Sequence, residues 1–267
     1  MFYVIGGNNM AYTICIANQK GGVGKTTSTI EIAAALTRQG KRVLVIDFDQ
    51  QRNLSKYVGA DLNMPSIYQV LNGDYSVQDA TQKIEDGFSI ICASDELSLA
   101  DKKFTDPTED IFLLADVIEI VKDEYDYVLV DNSPSRNILI QMAYVAADGI
   151  IMPTESDIGS IDGIYAIYSD VEKFKKNRNK LSHAEFLGFI LNKYERTNIY
   201  SLAIDNLETA RERINPNAFI LTVRKASVAS EAKTMMQSIQ TYKRSSTTAI
   251  DYRAVAEEVI KRVEGEE

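Results

Sequence analysis

The sequence predicts an α/β fold: a single domain built on a doubly wound, mostly parallel sheet with helices on both faces. Three observations predict it. Apolar runs of four to seven residues alternate along the chain with longer segments of helical period. Several of these runs are continuously apolar rather than alternating, as strands covered on both faces must be. The chain has 267 residues, 45% hydrophobic and 25% charged, which suits one sizeable globular domain.

The elements follow in order. YTICIAN is the first strand, Tyr12–Asn18, and Ile30, Ala33, Ala34 and Thr37 give the next segment, Thr26–Gln39, a helical apolar stripe. Further strands are expected at Arg42–Ile46, Phe88–Ala93, Tyr127–Val130, Gly149–Met152, Glu185–Leu191 and Ala218–Leu221. Helices are expected at Ile111–Lys122, Ile158–Phe174 and Tyr200–Ile214. Near the end, Tyr252, Val255, Ala256, Val259, Ile260 and Val263 line one face of a helix closed by Glu264-Gly265-Glu266-Glu267. An acidic end is repelled by anionic lipid, so this helix is read as packing on the core. No repeat, low-complexity tract or linker divides the chain. The domain is therefore taken as residues 11–267 after a short tail, 1–10, with Met10 an alternative first residue.

Composition narrows the classes of function. No window offers the roughly 20 apolar residues of a membrane span, and MFYVIGGNNM lacks the pattern of a secretory signal. The expected location is cytoplasmic, with Cys15 and Cys92 as buried thiols. Net charge is −9. Residues 1–160 hold 12 Lys/Arg against 23 Asp/Glu, and residues 161–267 hold 17 against 15. The second half thus leaves room for a local basic patch without demonstrating one.

The chemistry concentrates between the first strand and the first helix, at Lys20-Gly21-Gly22-Val23-Gly24-Lys25-Thr26-Thr27. Glycines let backbone N–H groups approach phosphate oxygens, and the helix N-terminus behind them adds partial positive charge. Lys25 is placed to reach β- and γ-phosphates and the Thr26 hydroxyl to ligate Mg²⁺, so ATP and Mg²⁺ are the expected cofactors. A glycine-rich connecting turn would account for the glycines alone, but not for Gly-Lys-Thr between strand and helix. The usual first glycine of G-x-x-x-x-G-K-[ST] is replaced by Gln19.

Two later strands end on acids. One gives Asp47-Phe48-Asp49-Gln50-Gln51-Arg52-Asn53, the other Asp131-Asn132-Ser133-Pro134-Ser135. Carboxylates beside a phosphate loop can hold Mg²⁺ or its waters, or orient an attacking water. Taken singly, each could equally be a turn residue or a helix cap. Asp131 and Asp49 are read as functional, and Asp47 as a structural partner.

Together these residues resemble the deviant Walker A ATPases, the ParA/MinD family. The resemblance makes Lys20 the signature lysine, Lys25 the Walker A lysine and Thr26 the Mg²⁺ threonine. Asp49 takes the place of the water-activating aspartate, and Asp131 that of Walker B. ICASDELSLAD looks like the family's P-S-x-x-x-L-A segment. Gly188–Tyr194 looks like the strand whose asparagine, here Asn192, reads adenine. TTAIDYRAVAEEVIKRV resembles its closing helix. The likeness runs from about Met10 to the C-terminus. Gln50, Arg52 and Ser133 depart from the family's proline, glycine and proline, which leaves the stiffness of both segments open. The resemblance implies a P-loop fold, ATP hydrolysis and a homodimer enclosing two ATP molecules, with Lys20 reaching the partner's nucleotide.

Several relatives are set aside by residues that are missing. Iron–sulfur carriers need a C-x-x-C pair or bridging cysteines, and the bacterial tyrosine kinases of similar core carry a C-terminal tyrosine cluster. Septum-site members end in a basic membrane helix. The remaining branch implies plasmid or chromosome partition or cargo positioning, a ParB-like activator, and ATP-dependent non-specific DNA binding at the nucleoid. Candidate DNA contacts are Arg196, Arg224, Lys225, Lys233, Lys243, Arg244 and Arg253, with Arg224 and Lys225 favoured. No helix-turn-helix extension precedes the phosphate loop, which argues against operator binding. The alternatives are a similar ATPase switch acting on protein or membrane partners without DNA, and a degenerate sensor that binds nucleotide without turnover.

Overall fold

A computed structural model of the chain describes residues 10–265; of the expected tail, all but Met10 lies outside the described residues. Eight strands form one sheet: β1 (Tyr12–Ile16), β2 (Val43–Phe48), β3 (Thr81–Lys83), β4 (Ser89–Ile91), β5 (Tyr127–Asn132), β6 (Gly149–Thr154), β7 (Glu185–Tyr194) and β8 (Phe219–Arg224). Their order is β3-β4-β2-β5-β1-β6-β7-β8. All neighbours run parallel except β3, which pairs antiparallel with β4. The strand β1 lies between β5 and β6, where the winding reverses, so the crevice for a ligand opens beyond its carboxyl end.

The continuous apolar strands are explained by the helices on both sides. One face is covered by Lys25–Arg38 and the closing helix Thr247–Glu264, with Ile30, Ala33, Ala34, Tyr252, Val255, Ala256 and Val259 buried. The other is covered by Leu113–Val121, Ile138–Ala146, Ile158–Lys176 and Asn198–Ile214, through residues such as Leu114, Met142, Ile167 and Leu207. The closing helix is therefore a core element, as its apolar stripe predicts. Cys15 and Cys92 are both buried and unbridged. Among the described residues no helix is long and apolar enough to cross a membrane.

The structure differs from the sequence reading in physically explicable ways. β3 was not expected, because a three-residue polar edge strand carries no apolar run. Short helices such as Ile67–Leu71 and Val77–Ala80 are set by capping boxes rather than by periodicity. Strands β2 and β5 run past Asp47 and Asp131, so both acids sit inside the sheet rather than at its rim.

Burial also strains one acid outside the motifs. Glu31, on helix Lys25–Arg38, is 2% exposed. Its Oε1 accepts from the Ile239 N–H at 2.7 Å, while Oε2 meets no hydrogen-bond partner. Burial pushes this carboxyl up to about 8. An acid raised in the folded state binds its proton more tightly than in the unfolded chain. Its contribution is full below about 4.5, the ordinary value, and is lost as pH climbs through about 8. Thermal unfolding of the wild type is expected to occur at lower temperature at pH 8.5 than at pH 6. Glu31→Gln, which keeps the acceptor and cannot ionise, is expected to show a smaller fall; an equal fall would assign the dependence elsewhere.

Candidate nucleotide site

The loop leaving β1 is anchored before it turns. Asn18, 2% exposed, donates to the Pro153 carbonyl at 2.8 Å and accepts from the Lys20 N–H at 2.9 Å. Gly22 (φ 81°) and Gly24 (φ 93°) then take left-handed conformations, which open the loop without steric cost. Gly24 is the N-cap of helix Lys25–Arg38, which has no side-chain cap and no acid in its first turn. The helix therefore presents its first N–H groups to a ligand. Lys25 is 7% exposed and donates to the Lys20 carbonyl at 3.0 Å. Burial lowers its pKa, against the attraction of Asp131 and Asp49. Those two acids and the loop lysine thus lie within electrostatic reach of one another.

The three carboxylates divide into distinct roles. Asp47 pairs in register with Asp131 across β2 and β5. Its Oδ2 accepts from the Ser55 N–H at 3.0 Å and hydroxyl at 2.6 Å, and its Oδ1 from the Asp49 N–H at 3.2 Å. Burial pushes it up to about 6. It pins the segment carrying Asp49, which is the structural role expected of it. Asp49 is half-buried, with Oδ1 accepting from the Gln51 N–H at 3.0 Å. Asp131 is 1% exposed; its Oδ1 accepts from the Thr29 hydroxyl at 3.2 Å, while its buried Oδ2 meets no hydrogen-bond partner. Burial, then the charge of Asp47, pushes it up to about 8; the Thr26 hydroxyl and Lys25 oppose this.

That orphaned oxygen fits a cation. Among the described residues no group of three or more His, Cys, Asp or Glu forms a metal cage. Mg²⁺ suits such a site, since it keeps several waters and takes few protein ligands beside phosphate oxygens. Thr26, Asp131 and Asp49 are the residues that would hold it or its waters.

Most of the other expected residues are engaged by partners within the chain. Asn192, expected to read adenine, is 4% exposed and lies beneath the loop. Its amide donates to the Val23 carbonyl at 2.8 Å and to Ser28 Oγ at 3.3 Å, and its oxygen accepts from the Tyr252 hydroxyl at 3.0 Å. With both ends so engaged, it supports the loop rather than facing a base. Lys20 forms an ion pair with Asp157 of its own chain, the N-cap of helix Ile158–Lys176. Arg224 is gripped by Asp251 at 2.6 and 3.0 Å, and Lys225 lies 3.2 Å from Glu195. Lys233 turns inward over the Tyr57 ring, 5.0 Å from its centroid, and burial lowers its pKa. Arg253 donates to Gln240 Oε1 and the Arg244 carbonyl. Arg196, Lys243 and Arg244 stay exposed. Several of the basic residues are therefore already engaged within the chain.

Comparison with known proteins supplies the family. A family model described as an AAA domain matches residues 11–183. The chromosome partitioning protein ParA of Caulobacter vibrioides (strain NA1000 / CB15N) is 31% identical over 259 residues, covering 95% of this chain and 96% of that one. The chain belongs to the ParA/MinD family of P-loop ATPases. A second relative, the chromosome-partitioning ATPase Soj of Thermus thermophilus, is 31% identical over 255 residues, covering 94% and 96% of the two chains. Among solved structures, the septum site-determining protein MinD of Pyrococcus horikoshii OT3, complexed with Mg-ADP, superposes with a TM-score of 0.76. It is 26% identical, covering 94% of this chain and 97% of that one. Membership in the ParA/MinD family therefore rests on both sequence and fold.

The sequence reading missed Lys193, whose Nζ lies 3.3 Å from the Gly22 carbonyl and 2.6 Å from Glu155. No local signal announces it, because it follows Asn192 directly and a regular strand would turn it away. The tightness of this support is testable at Gly24. Gly24→Ala would place a Cβ 2.6 Å from Asn192 Nδ2 on a left-handed backbone. The expected outcome is lost ADP binding and a stability loss of about 1–3 kcal/mol. ADP titration and denaturant unfolding measure the two; unchanged ADP affinity would contradict this arrangement.

Proposed function

We propose that this chain is a Mg²⁺-dependent ATPase that works as a nucleotide-switched homodimer in plasmid or chromosome partition or the positioning of other cargo. The observation that carries the reading is the unpartnered Asp131 Oδ2, buried beside Lys25 and the uncapped N-terminus of helix Lys25–Arg38. A buried carboxylate oxygen left without a donor is costly unless a ligand completes it. Bound Mg²⁺ would neutralise charge on the phosphate oxygens. The chain's own groups do the rest: loop N–H groups and Lys25 hold the phosphates and meet the charge that grows in transfer. Asp49, at the rim and unburdened by the Ser55 bonds that occupy Asp47, orients the attacking water.

Lys20 is the candidate trans lysine. Its pair with Asp157 leaves the two side chains 37% and 43% exposed. Exposed pairs contribute only about 0–1 kcal/mol. A nucleotide phosphate on a partner subunit can therefore compete for the ammonium. A ParB-like protein is the proposed activator, and the nucleoid the proposed location. DNA contact is proposed through exposed Arg196, Lys243 and Arg244, with Arg224 and Lys225 joining where phosphate displaces Asp251 and Glu195. An otherwise similar switch that ignores DNA is the second reading, favoured by those two occupied cations.

Single-turnover hydrolysis tests the enzymatic claim. Asp49→Ala is expected to slow it by about 10²-fold or more while leaving ADP affinity near wild type, and Lys20→Ala to abolish ATP-dependent dimers in size-exclusion chromatography. Equal, negligible rates in wild type and Asp49→Ala would leave only a sensor. Filter binding on non-specific duplex separates the two switch readings. Retention is expected with ATP, weakening steeply with salt, and little with ADP or without nucleotide; no retention at low salt would favour the switch that ignores DNA.

A further inference from the structure

We propose that the carboxyl end of β7 is a built support that orients the peptide groups of the phosphate loop, and that Lys193 is a positioning residue for nucleotide binding. The proposal rests on the nucleotide-binding reading above. Successive residues of a regular strand face opposite sides, so Asn192 and Lys193 should not both reach the same loop. Here they do. The pairing of β7 with β8 shifts register between Leu191 and Tyr194. Lys193 takes φ 54°, a left-handed conformation that strains any residue but glycine.

Neighbours hold that strain in place. The Tyr200 hydroxyl donates to the Lys193 carbonyl. The Tyr194 and Tyr200 rings meet edge to face, 5.4 Å between centroids. The Lys225 N–H donates to the Tyr194 carbonyl at 3.2 Å. With the turn so fixed, Asn192 donates to the Val23 carbonyl at 2.8 Å and Lys193 to the Gly22 carbonyl at 3.3 Å. Glu155, 2.6 Å from the Lys193 ammonium, holds it from the other side.

The consequence follows from peptide geometry. A peptide group is planar and trans, so its C=O and N–H point in opposite directions. Drawing the Gly22 oxygen toward Lys193 turns the Val23 N–H the opposite way. Drawing the Val23 oxygen toward Asn192 does the same for the Gly24 N–H. Lys25, bonded to the Lys20 oxygen, does so for the Gly21 N–H. The left-handed glycines at 22 and 24 let successive N–H groups converge into a concavity that holds an anion. An ammonium on a loop carbonyl also polarises that peptide, making its N–H a better donor to phosphate.

Three substitutions separate the side chain from the backbone. Lys193→Met keeps the stem and removes the donor; Lys193→Arg keeps a cation; Lys193→Gly removes the side chain while relieving the left-handed backbone. ADP and ATP, each with Mg²⁺, are titrated calorimetrically into the full chain, with thermal unfolding in parallel. The Lys193 side chain is 53% exposed, which keeps the effect modest. Lys193→Met and Lys193→Gly are each expected to raise Kd about three- to tenfold. Lys193→Gly should do so with no fall in unfolding temperature, and Lys193→Arg should restore binding to within about twofold. Wild-type affinity in the Met and Gly variants, or losses that merely track unfolding temperature, would overturn the proposal alone. A wild type that binds neither nucleotide would overturn the underlying reading with it.

Discussion

The hydrogen bond from Asn192 to the Val23 carbonyl ties the phosphate loop to the sheet, and much of the site is arranged around it. A loop whose N–H groups must stay open for a ligand cannot satisfy itself through them, so its carbonyls have to hold it. Three of them are taken: Lys20 by Lys25, Gly22 by Lys193 and Val23 by Asn192. Asn192 is held in turn by the Tyr252 hydroxyl of the closing helix, which also meets Ser28 at 3.1 Å on the helix behind the loop. The C-terminal helix is thus part of the nucleotide site, although none of its residues belongs to a nucleotide motif. The next residue of that helix towards its start, Asp251, grips Arg224 at the end of β8. One helix therefore braces both the loop and the last strand.

Charge placement follows the same economy. Lys25 and Asp131 are both nearly inaccessible, yet Asp131 is left short of partners while Asp47 beside it is fully engaged. Burial penalises the charged form of both, and a nearby acid adds to it, Asp49 for Asp47 and Asp47 for Asp131, which is why both are raised. Serine donors settle Asp47 as a structural acid. Asp131 keeps an oxygen open to a cation, a proton or a hydrogen-bond donor. The contrast between two equivalent strand positions is what separates scaffold from chemistry.

Much of this was legible in the sequence, for reasons that can be named. The sheet was legible because strands buried on both faces must be continuously apolar, and the loop because glycine, lysine and threonine in that order have few other uses. Asp49 and Asp131 were legible by their places after apolar runs. What escaped depends on distant partners. Asn192 looked like a base reader because its strand resembles one that is; its true partners, Val23 and Tyr252, lie 169 and 60 residues away. Lys193 was hidden because a left-handed turn inside a strand leaves no trace in alternation. Arg224, Lys225 and Lys233 looked like open cations because Asp251, Glu195 and Tyr57 approach them only in the fold.

The departures from the family pattern can be weighed in the same terms. Arg52 stands where the resemblance leads one to expect glycine, and it adopts φ 56°, the conformation glycine would take freely. A left-handed arginine costs about 1–2 kcal/mol, so something must hold it. Its guanidinium reaches Asp95 at 3.1 Å, and its backbone N–H donates to the Asp49 carbonyl at 2.8 Å. Asp95 lies in the segment that looks like the family's P-S-x-x-x-L-A stretch, so two segments after different strands are joined by this pair. The Asp95 side chain is 76% exposed, and such a pair contributes little by itself. The tight turn is therefore held mainly from within, by the Asp49 carbonyl and by Asp47 on Ser55. Glycine's freedom is replaced here by a fixed backbone, and Asp49 sits inside that fixed turn. The segment that carries Asp49 is consequently stiffer than a glycine would leave it.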